Sequence, residues 1–346
     1  MKVVVTGSDG YIGRVLSARL VSRGHEVVGF DAGLFAGCAF AETAPTWTAK
    51  RVDVRDVTPA DLRGIEGVCH LAALSNDPMG ALDPALTRAI NLDGTMRVAR
   101  AAKDAGVARF AFASSCSVYG QQPEGQAATE DSELAPLTEY ARSKVGSEQQ
   151  LAELAGASFS PVYLRQATAF GWSERFRCDL VLNNFVGWAL TTGSVRLLSD
   201  GSAWRPIAHV QDLADAFIAA LEAPRDAVHD TAFNVGSESE NHRIADLARI
   251  AAAAVGNVPV TLTEGAGADS RSYRVSFARI AERLPAWRAR WTASAGAVEM
   301  RDALVTNGLT EAGFTDERFT RLKRLSARRE RGEIDGQLRP VAVARA

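Results

Sequence analysis

Val5-Thr6-Gly7-Ser8-Asp9-Gly10-Tyr11-Ile12-Gly13 is the stretch that decides the fold. It follows the short apolar run Val3-Val4-Val5 and opens a helical pattern that runs from Ile12 to about Ser22. Glycines at 7, 10 and 13 have no side chains to hold a ligand away. The backbone can approach a pyrophosphate, and the free N–H groups of the helix start point at it. Gly13 lets the helix pack tightly on the strand. A glycine triplet alone is weak evidence, because any tight strand–helix turn can use glycine. The frame raises its value. Val27-Val28-Gly29-Phe30 reads as a second strand and ends at Asp31, eighteen residues after Gly13. A carboxylate there accepts hydrogen bonds from a ribose 2′-hydroxyl and repels a 2′-phosphate, so the loop predicts NAD rather than NADP. Asp53-Val54 ends the next strand-like run, at a place suited to an adenine edge.

Working outward, short apolar runs keep alternating with helical patterns. Val68-Cys69-His70-Leu71, Phe110-Ala111-Phe112-Ala113 and Pro161-Val162-Tyr163-Leu164 read as strands, with a helix over 85–105. That alternation predicts an α/β fold with a doubly wound parallel sheet, a Rossmann domain. The pattern weakens after Gly171. Residues 212–222 read as a further helix, 232–236 as a strand, and 244–255 as a helix. The expected division is 1–171 with about 205–236 for the Rossmann domain. About 172–204 and 237–325 would form a smaller, mixed C-terminal substrate lobe, and 326–346 a tail. The charged run Ala327-Arg328-Arg329-Glu330-Arg331 reads as a solvated helix face.

Composition excludes several classes. The chain has 346 residues, 47% hydrophobic and 23% charged, which fits a folded protein and not a disordered one. A formal net charge of −2 gives no pull toward nucleic acid or an anionic membrane. No apolar stretch approaches a membrane span, and the strand begins at once, so a cytoplasmic enzyme is expected. Cys38, Cys69, Cys116 and Cys178 are widely spaced and unpaired in sequence, which argues against a metal site or a disulfide framework.

Two further clusters carry chemistry. Tyr140-Ala141-Arg142-Ser143-Lys144 opens a helix, and residues four apart share one face. Free tyrosine has a pKa of about 10, and a nearby ammonium lowers it, so Tyr140 can serve as a general base. Ser114-Ser115-Cys116-Ser117-Val118-Tyr119-Gly120 follows a strand, at the end where such sheets place ligands. A hydroxyl there bridges a substrate oxygen and Tyr140. Each cluster has a plainer reading, a surface helix pair or a self-satisfied loop. Their joint order in one α/β frame is far more specific.

With these residues the chain resembles the extended short-chain dehydrogenase/reductases of the nucleotide-sugar epimerase/dehydratase group, from Met1 to about residue 325. The carriers are residues 6–13, Asp31, Asp53-Val54, His70-Leu71-Ala72-Ala73, Asn91, residues 114–120, residues 140–144, and Arg205-Pro206-Ile207-Ala208-His209-Val210. The resemblance implies that Tyr140 is the base, that Lys144 holds the nicotinamide ribose, and that Ser115 binds the reacting hydroxyl. It implies a cofactor site of Gly7, Gly10, Tyr11, Ile12, Gly13, Asp31, Asp53, Val54, Leu71, Ala72, Ala73, Asn91 and Ser114. It implies a nucleotide-diphosphate sugar held by Ser75, Ser115, Ser117, Asn184, Arg205 and Arg271, and a homodimer through the helices near 86–104 and 140–154.

Within that group the 4,6-dehydratases carry an Asp-Glu pair after the catalytic hydroxyl, where this chain has Cys116 and Ser117. Their elimination needs that acid and base. The cysteine of the 3,5-epimerases falls at Ser117, so Cys116 is one residue off and faces the other way in an extended segment. What remains is epimerisation at C4 through a 4-keto sugar. The alternatives are a net dehydrogenase or ketoreductase, a dehydratase, or a non-catalytic NAD sensor. The chain departs from the pattern at Thr168 (usually Asn), Trp172 (usually Pro) and Ser75 (often Lys in 4-epimerases), so the sugar and nucleotide stay open.

Overall fold

The computed structural model describes residues 1–75, 83–123, 125–263, 267 and 272–341. Its centre is a seven-stranded sheet in the order 231–235, 160–166, 109–115, 67–70, 2–6, 26–31, 48–51. Every neighbouring pair is parallel. Runs such as Val3-Val4-Val5 and Phe110-Ala111-Phe112 are fully buried, because helices cover both faces of the sheet. The doubly wound Rossmann sheet read from the alternation is therefore present. Its strands and helices fall within a few residues of the expected ones.

The register sets up the site. Thr6 lies beside Phe30 on one side and His70 on the other. The three chain exits that follow, at Gly7, Asp31 and Leu71, thus leave the sheet edge together. Thr6 adds a cross-tie. Its Oγ1 accepts from the N–H groups of Leu71 (3.1 Å) and Ala72 (3.2 Å), so its proton goes to His70 Nδ1 at 2.8 Å. His70 Nε2 then donates to Thr95 Oγ1 at 2.9 Å, and Thr95 donates to the Asn91 carbonyl at 2.5 Å. That carbonyl sits in a π-helical turn, Ala89–Asp93, which interrupts the helix read over 85–105. Such turns free backbone groups for side-chain partners.

A smaller layer follows. Strand Trp204–His209 pairs in parallel with Thr168–Phe170 and antiparallel with Asn241–Arg243, away from the main sheet. Helix Val210–Glu222 returns to pack on helix Tyr11–Ser22. Helices Val181–Thr192, Ile244–Ala254 and Ala293–Thr306 share a third core with Phe170, Phe176 and Ile207. No helix among the described residues is long and apolar enough to cross a membrane.

The C-terminal part departs from the expected division. Val275, Phe277, Ile280 and Trp287 pack into the core around helix Val210–Glu222, not into the lobe. The run at 327–331 ends a helix with Arg329, Glu330 and Arg331 exposed, while its flanks are packed. Leu325, Ile334 and Leu338 are buried in the core on the Met96–Ala102 side of the sheet. Arg328 Nη1 donates to the carbonyls of Gly33 and Leu34, both at 2.9 Å, and Arg324 Nη2 to that of Ala36 at 2.7 Å. These arginines find backbone acceptors on a distant loop, which charge patterning along one helix cannot reveal.

His70 makes the fold sensitive to acid. Burial, with a smaller contribution from Lys144, pushes its imidazole down to about 3, so it folds neutral. The unfolded chain takes up that proton near pH 6.5. Below this value the unfolded state binds more protons, and stability falls with pH. Between pH 7 and pH 5 the loss assigned to His70 is about 2 kcal/mol. Denaturant unfolding of a His70→Gln variant should show a shallower pH dependence over that range. An unchanged slope would count against this assignment.

Candidate active site

One cavity of about 970 Å³ runs along the carboxyl ends of the strands, where open α/β sheets bind ligands. Its floor at one end is the glycine loop. Gly7 has φ +70°, and a Cβ there would lie 3.0 Å from the Ala72 nitrogen. A Cβ on Gly13 would lie 1.9 Å from the Gly7 carbonyl oxygen. Both positions require glycine, and the concave surface they leave fits a pyrophosphate. Gly10, Tyr11 and Ile12 complete this wall.

Asp31 closes the adjoining corner. Its carboxylate accepts from the Gly33 N–H (2.7 Å) and the Asp9 N–H (3.1 Å). Burial raises its pKa above the usual carboxylate range, while those two donors work in the opposite direction. Leu71, Ala72 and Ala73 form the opposite side, and Asp53 and Val54 the outer end. The Asp53 carboxylate is already gripped by Arg55, through Nε at 2.9 Å and Nη2 at 2.6 Å. Asn91 is off the cavity wall. It is 1% exposed, and its amide holds the loop at Leu74, accepting from the N–H (2.8 Å) and donating to the carbonyl (3.1 Å). It shapes the wall that Leu71, Ala72 and Ala73 present and does not itself line it.

Ser114, Ser115, Ser117, Tyr140 and Lys144 all line the middle of the cavity. The helix Glu139–Leu154 starts there because Thr138 caps it, accepting from the Ala141 N–H. Lys144 Nζ donates to the Ala113 carbonyl at 2.7 Å and lies 5.6 Å from the centre of the Tyr140 ring. Burial pushes Lys144 down to about 7, with Glu148 opposing the shift. Ser115 Oγ accepts from the Ser117 N–H (3.1 Å) and the Ser117 hydroxyl (2.9 Å), which leaves its own proton for a ligand oxygen. Ser114 turns inward and donates to Glu148. Glu148 in turn pairs with Arg165 at 2.6 Å, both side chains being 7% exposed. Cys116 is buried behind the site, its thiol on the Arg165 carbonyl, and burial pushes its pKa up. The thiol packs in the core and is not part of the cavity lining.

At the far end the cavity is lined by Ser75, Asn184 and Arg205. Arg205 is 8% exposed and lies over the Tyr273 ring at 5.3 Å. Asn184 is anchored through Nδ2 on the Cys178 carbonyl. Arg271 lies outside the described residues.

Several wall residues carried no readable signal in the sequence. Arg177 pairs with Asp179 (2.8 Å) and donates to Ser75 Oγ (3.1 Å). Burial disfavours its charge, yet Asp179 outweighs burial and its pKa is raised. Residues 171–177 clamp the glycine loop. Tyr11 donates to the Gly171 carbonyl at 2.6 Å, Ser173 to the Tyr11 carbonyl at 2.8 Å, and Arg175 pairs with Asp9 at 2.7 Å. Trp172, standing where proline was expected, donates its N–H to Glu299 and stacks on Phe40 at 5.6 Å. Proline has no N–H to give there. The aromatic substitution was the single visible hint of this clamp.

Comparisons with known proteins agree with this geometry. The sequence profile of the NAD dependent epimerase/dehydratase family matches residues 3–236. A UDP-glucose 4-epimerase of Mycolicibacterium smegmatis is 32% identical over 257 residues, 69% of this chain and 78% of that protein. A UDP-glucose 4-epimerase of Bacillus subtilis is 30% identical over 264 residues, 68% of this chain and 77% of that protein. Among solved structures, a Thermus thermophilus UDP-glucose 4-epimerase in complex with NAD superposes with a TM-score of 0.74. It is 26% identical and covers 87% of this chain and 98% of its own. NAD is thus the cofactor that the glycine cradle and Asp31 fit.

Gly13→Ala tests the cradle. Either the helix or the loop must move, at a cost of about 1–3 kcal/mol for overpacking. Unfolding in urea should show that loss, and NAD titration a weaker affinity. A variant that keeps both would show that the close approach is dispensable.

Proposed function

The chain belongs to the NAD-dependent epimerase/dehydratase family, and from that premise we propose that it is a nucleotide-sugar 4-epimerase. One observation carries the reading. Tyr140, Lys144 and Ser115 line one cavity, between a dinucleotide cradle and a basic far end, with no carboxylate at positions 116 and 117. Expelling water from a sugar needs an acid and a base beside the catalytic hydroxyl. A buried thiol and a serine supply neither.

The residues divide the work as follows. Ser115 donates its free proton to the sugar C4 oxygen and orients it toward Tyr140. Tyr140 takes the C4 hydroxyl proton as general base. Lys144, pinned to the Ala113 carbonyl, keeps positive charge near the Tyr140 ring and offers its other protons to a ribose hydroxyl. Arg177 adds a second positive charge on the same wall. Both favour the phenolate over the phenol. NAD, when bound, supplies the acceptor and later donor of hydride at C4. A 4-keto sugar that turns over in the pocket is then reduced from its other face. Asn184 and Arg205 hold the nucleotide diphosphate, an arrangement suited to the guanidinium fork. The names of the two relatives favour a UDP-hexose as the first substrate to try.

Incubation with UDP-glucose and NAD, followed by proton NMR of the sugar, should show interconversion of the C4 epimers with no net NADH. Steady NADH accumulation would sink the epimerase reading in favour of a dehydrogenase. Tyr140→Phe should bind NAD normally and lose about 10²–10⁴-fold in kcat.

We also propose a cytoplasmic homodimer formed by the helix pair over 84–104 and 139–154. Sedimentation at micromolar concentration should give twice the 36.9 kDa chain mass. A single-chain mass would reject the dimer.

A further inference from the structure

Helix Arg321–Glu330 returns to the cofactor end of the cavity, where Thr320, Arg321 and Leu322 form part of the wall. It lies well past the part of the chain that carries the family match. Arg321 is 2% exposed. Its hydrogen bonds go to uncharged groups, Nη2 to the Arg175 carbonyl at 3.0 Å, Nη1 to the Arg318 carbonyl at 3.4 Å, and the side chain to the buried Cys38 thiol. The Asp179 carboxylate is near, accepting from the Arg321 backbone N–H, but its guanidinium partner is Arg177. The neighbouring arginines are different. Arg175 pairs with Asp9 and Glu42, and Arg177 with Asp179. Burial, and then the nearby Arg177 and Arg175, push Arg321 down to about 10, against the opposing pull of Cys38 and Asp179. A buried charge whose nearest carboxylate is already bonded to another cation is costly, and the cost is offset where a ligand brings further opposite charge.

The flanking residues place that ligand. The guanidinium lies 4.7 Å over the ring of Phe35, which follows Asp31 and also lines the cavity. The other flank is Arg175, whose side chain grips Asp9 of the glycine loop. Arg321 thus stands between Phe35, beyond the ribose corner, and Arg175, which grips the phosphate cradle.

We propose that Arg321 is a cofactor-binding residue that supplies the counter-charge to the NAD pyrophosphate, so that the C-terminal helix completes the dinucleotide site. The inference rests on NAD as the cofactor. A fork of N–H donors suits a diphosphate, and each charge-assisted bond adds to affinity. The glycine loop brings only dipoles, and Arg321 brings the full charge.

The test uses full-length Arg321→Met, freed of bound nucleotide, beside the wild type. Calorimetric titration with ADP, adenosine, NAD and UDP separates the phosphate from the nucleoside and the cofactor from the substrate. ADP and NAD should weaken about 10- to 100-fold, with adenosine and UDP changed less than about twofold. The nucleotide-free variant should melt at or above the wild-type temperature, because a costly buried charge is gone. Its gain in melting temperature on saturation with NAD should shrink. Equal weakening of ADP and adenosine, no loss for ADP, or a loss for UDP in place of ADP would overturn the proposal. So would a variant that melts lower without nucleotide or does not fold, since Arg321 would then be a structural tie. A wild type that binds neither NAD nor ADP would remove the cofactor premise itself, a result distinct from these.

Discussion

The approach of helix Tyr11–Ser22 to the Gly7 carbonyl is the constraint on which the rest of the molecule turns. With no Cβ at Gly13, the helix start sits against the loop and its N–H groups face the cavity. The register of the sheet then delivers Asp31 and Ala72 to the same edge. The lobe docks on this point as well, since Tyr11 is bonded to Gly171 and Ser173 through both its hydroxyl and its backbone. A shift of the helix would therefore disturb the cofactor cradle and the wall facing the substrate together.

Around this point the polar side chains are buried in pairs, and the pairs hold the proposed catalytic groups in place. Ser114, Glu148, Arg165 and Tyr119 form a bonded chain behind the reactive face, ending on Asn234. Removing one partner of such a pair strands a buried charge, at about 3–5 kcal/mol. The Thr6–His70–Thr95–Asn91 chain does the same for the loop at 71–74 with neutral groups. Both networks keep the side chains of the cavity wall from relaxing when a charged ligand enters. Lys144 and Arg321 differ, since both are buried on backbone carbonyls, and both line the cavity.

Residues whose role depends on local backbone were readable from the chain. The glycine triplet, Asp31 at the end of a strand, and Tyr140 with Lys144 on one helical turn are all short-range patterns. The structure puts each of them on the cavity. Asn91 has a residue type that suits both a ligand contact and a loop tie, and its bonds to Leu74 are a tertiary feature the sequence does not show. Within the charged run after Ala327, Arg329, Glu330 and Arg331 are exposed as read, and Arg328 alone turns onto a distant loop. A helix rich in arginine looks solvated until a distant loop offers its carbonyls.

Sequence alone was enough for the parallel α/β frame, the NAD preference and the grouping of Tyr140 with Lys144 on one cavity wall. Each rests on spacing within a turn, a strand end or a helix face, and local sterics enforce such spacing wherever the chain goes. The clamp of residues 171–177 on the glycine loop, the Arg177–Asp179 wall beside Ser75, and the return of Arg321 to the cofactor end were settled by tertiary structure. Those contacts join residues far apart in the chain. Their energies depend on burial and on which charges meet, and neither exists until the sheet, the lobe and the C-terminal helix have packed together.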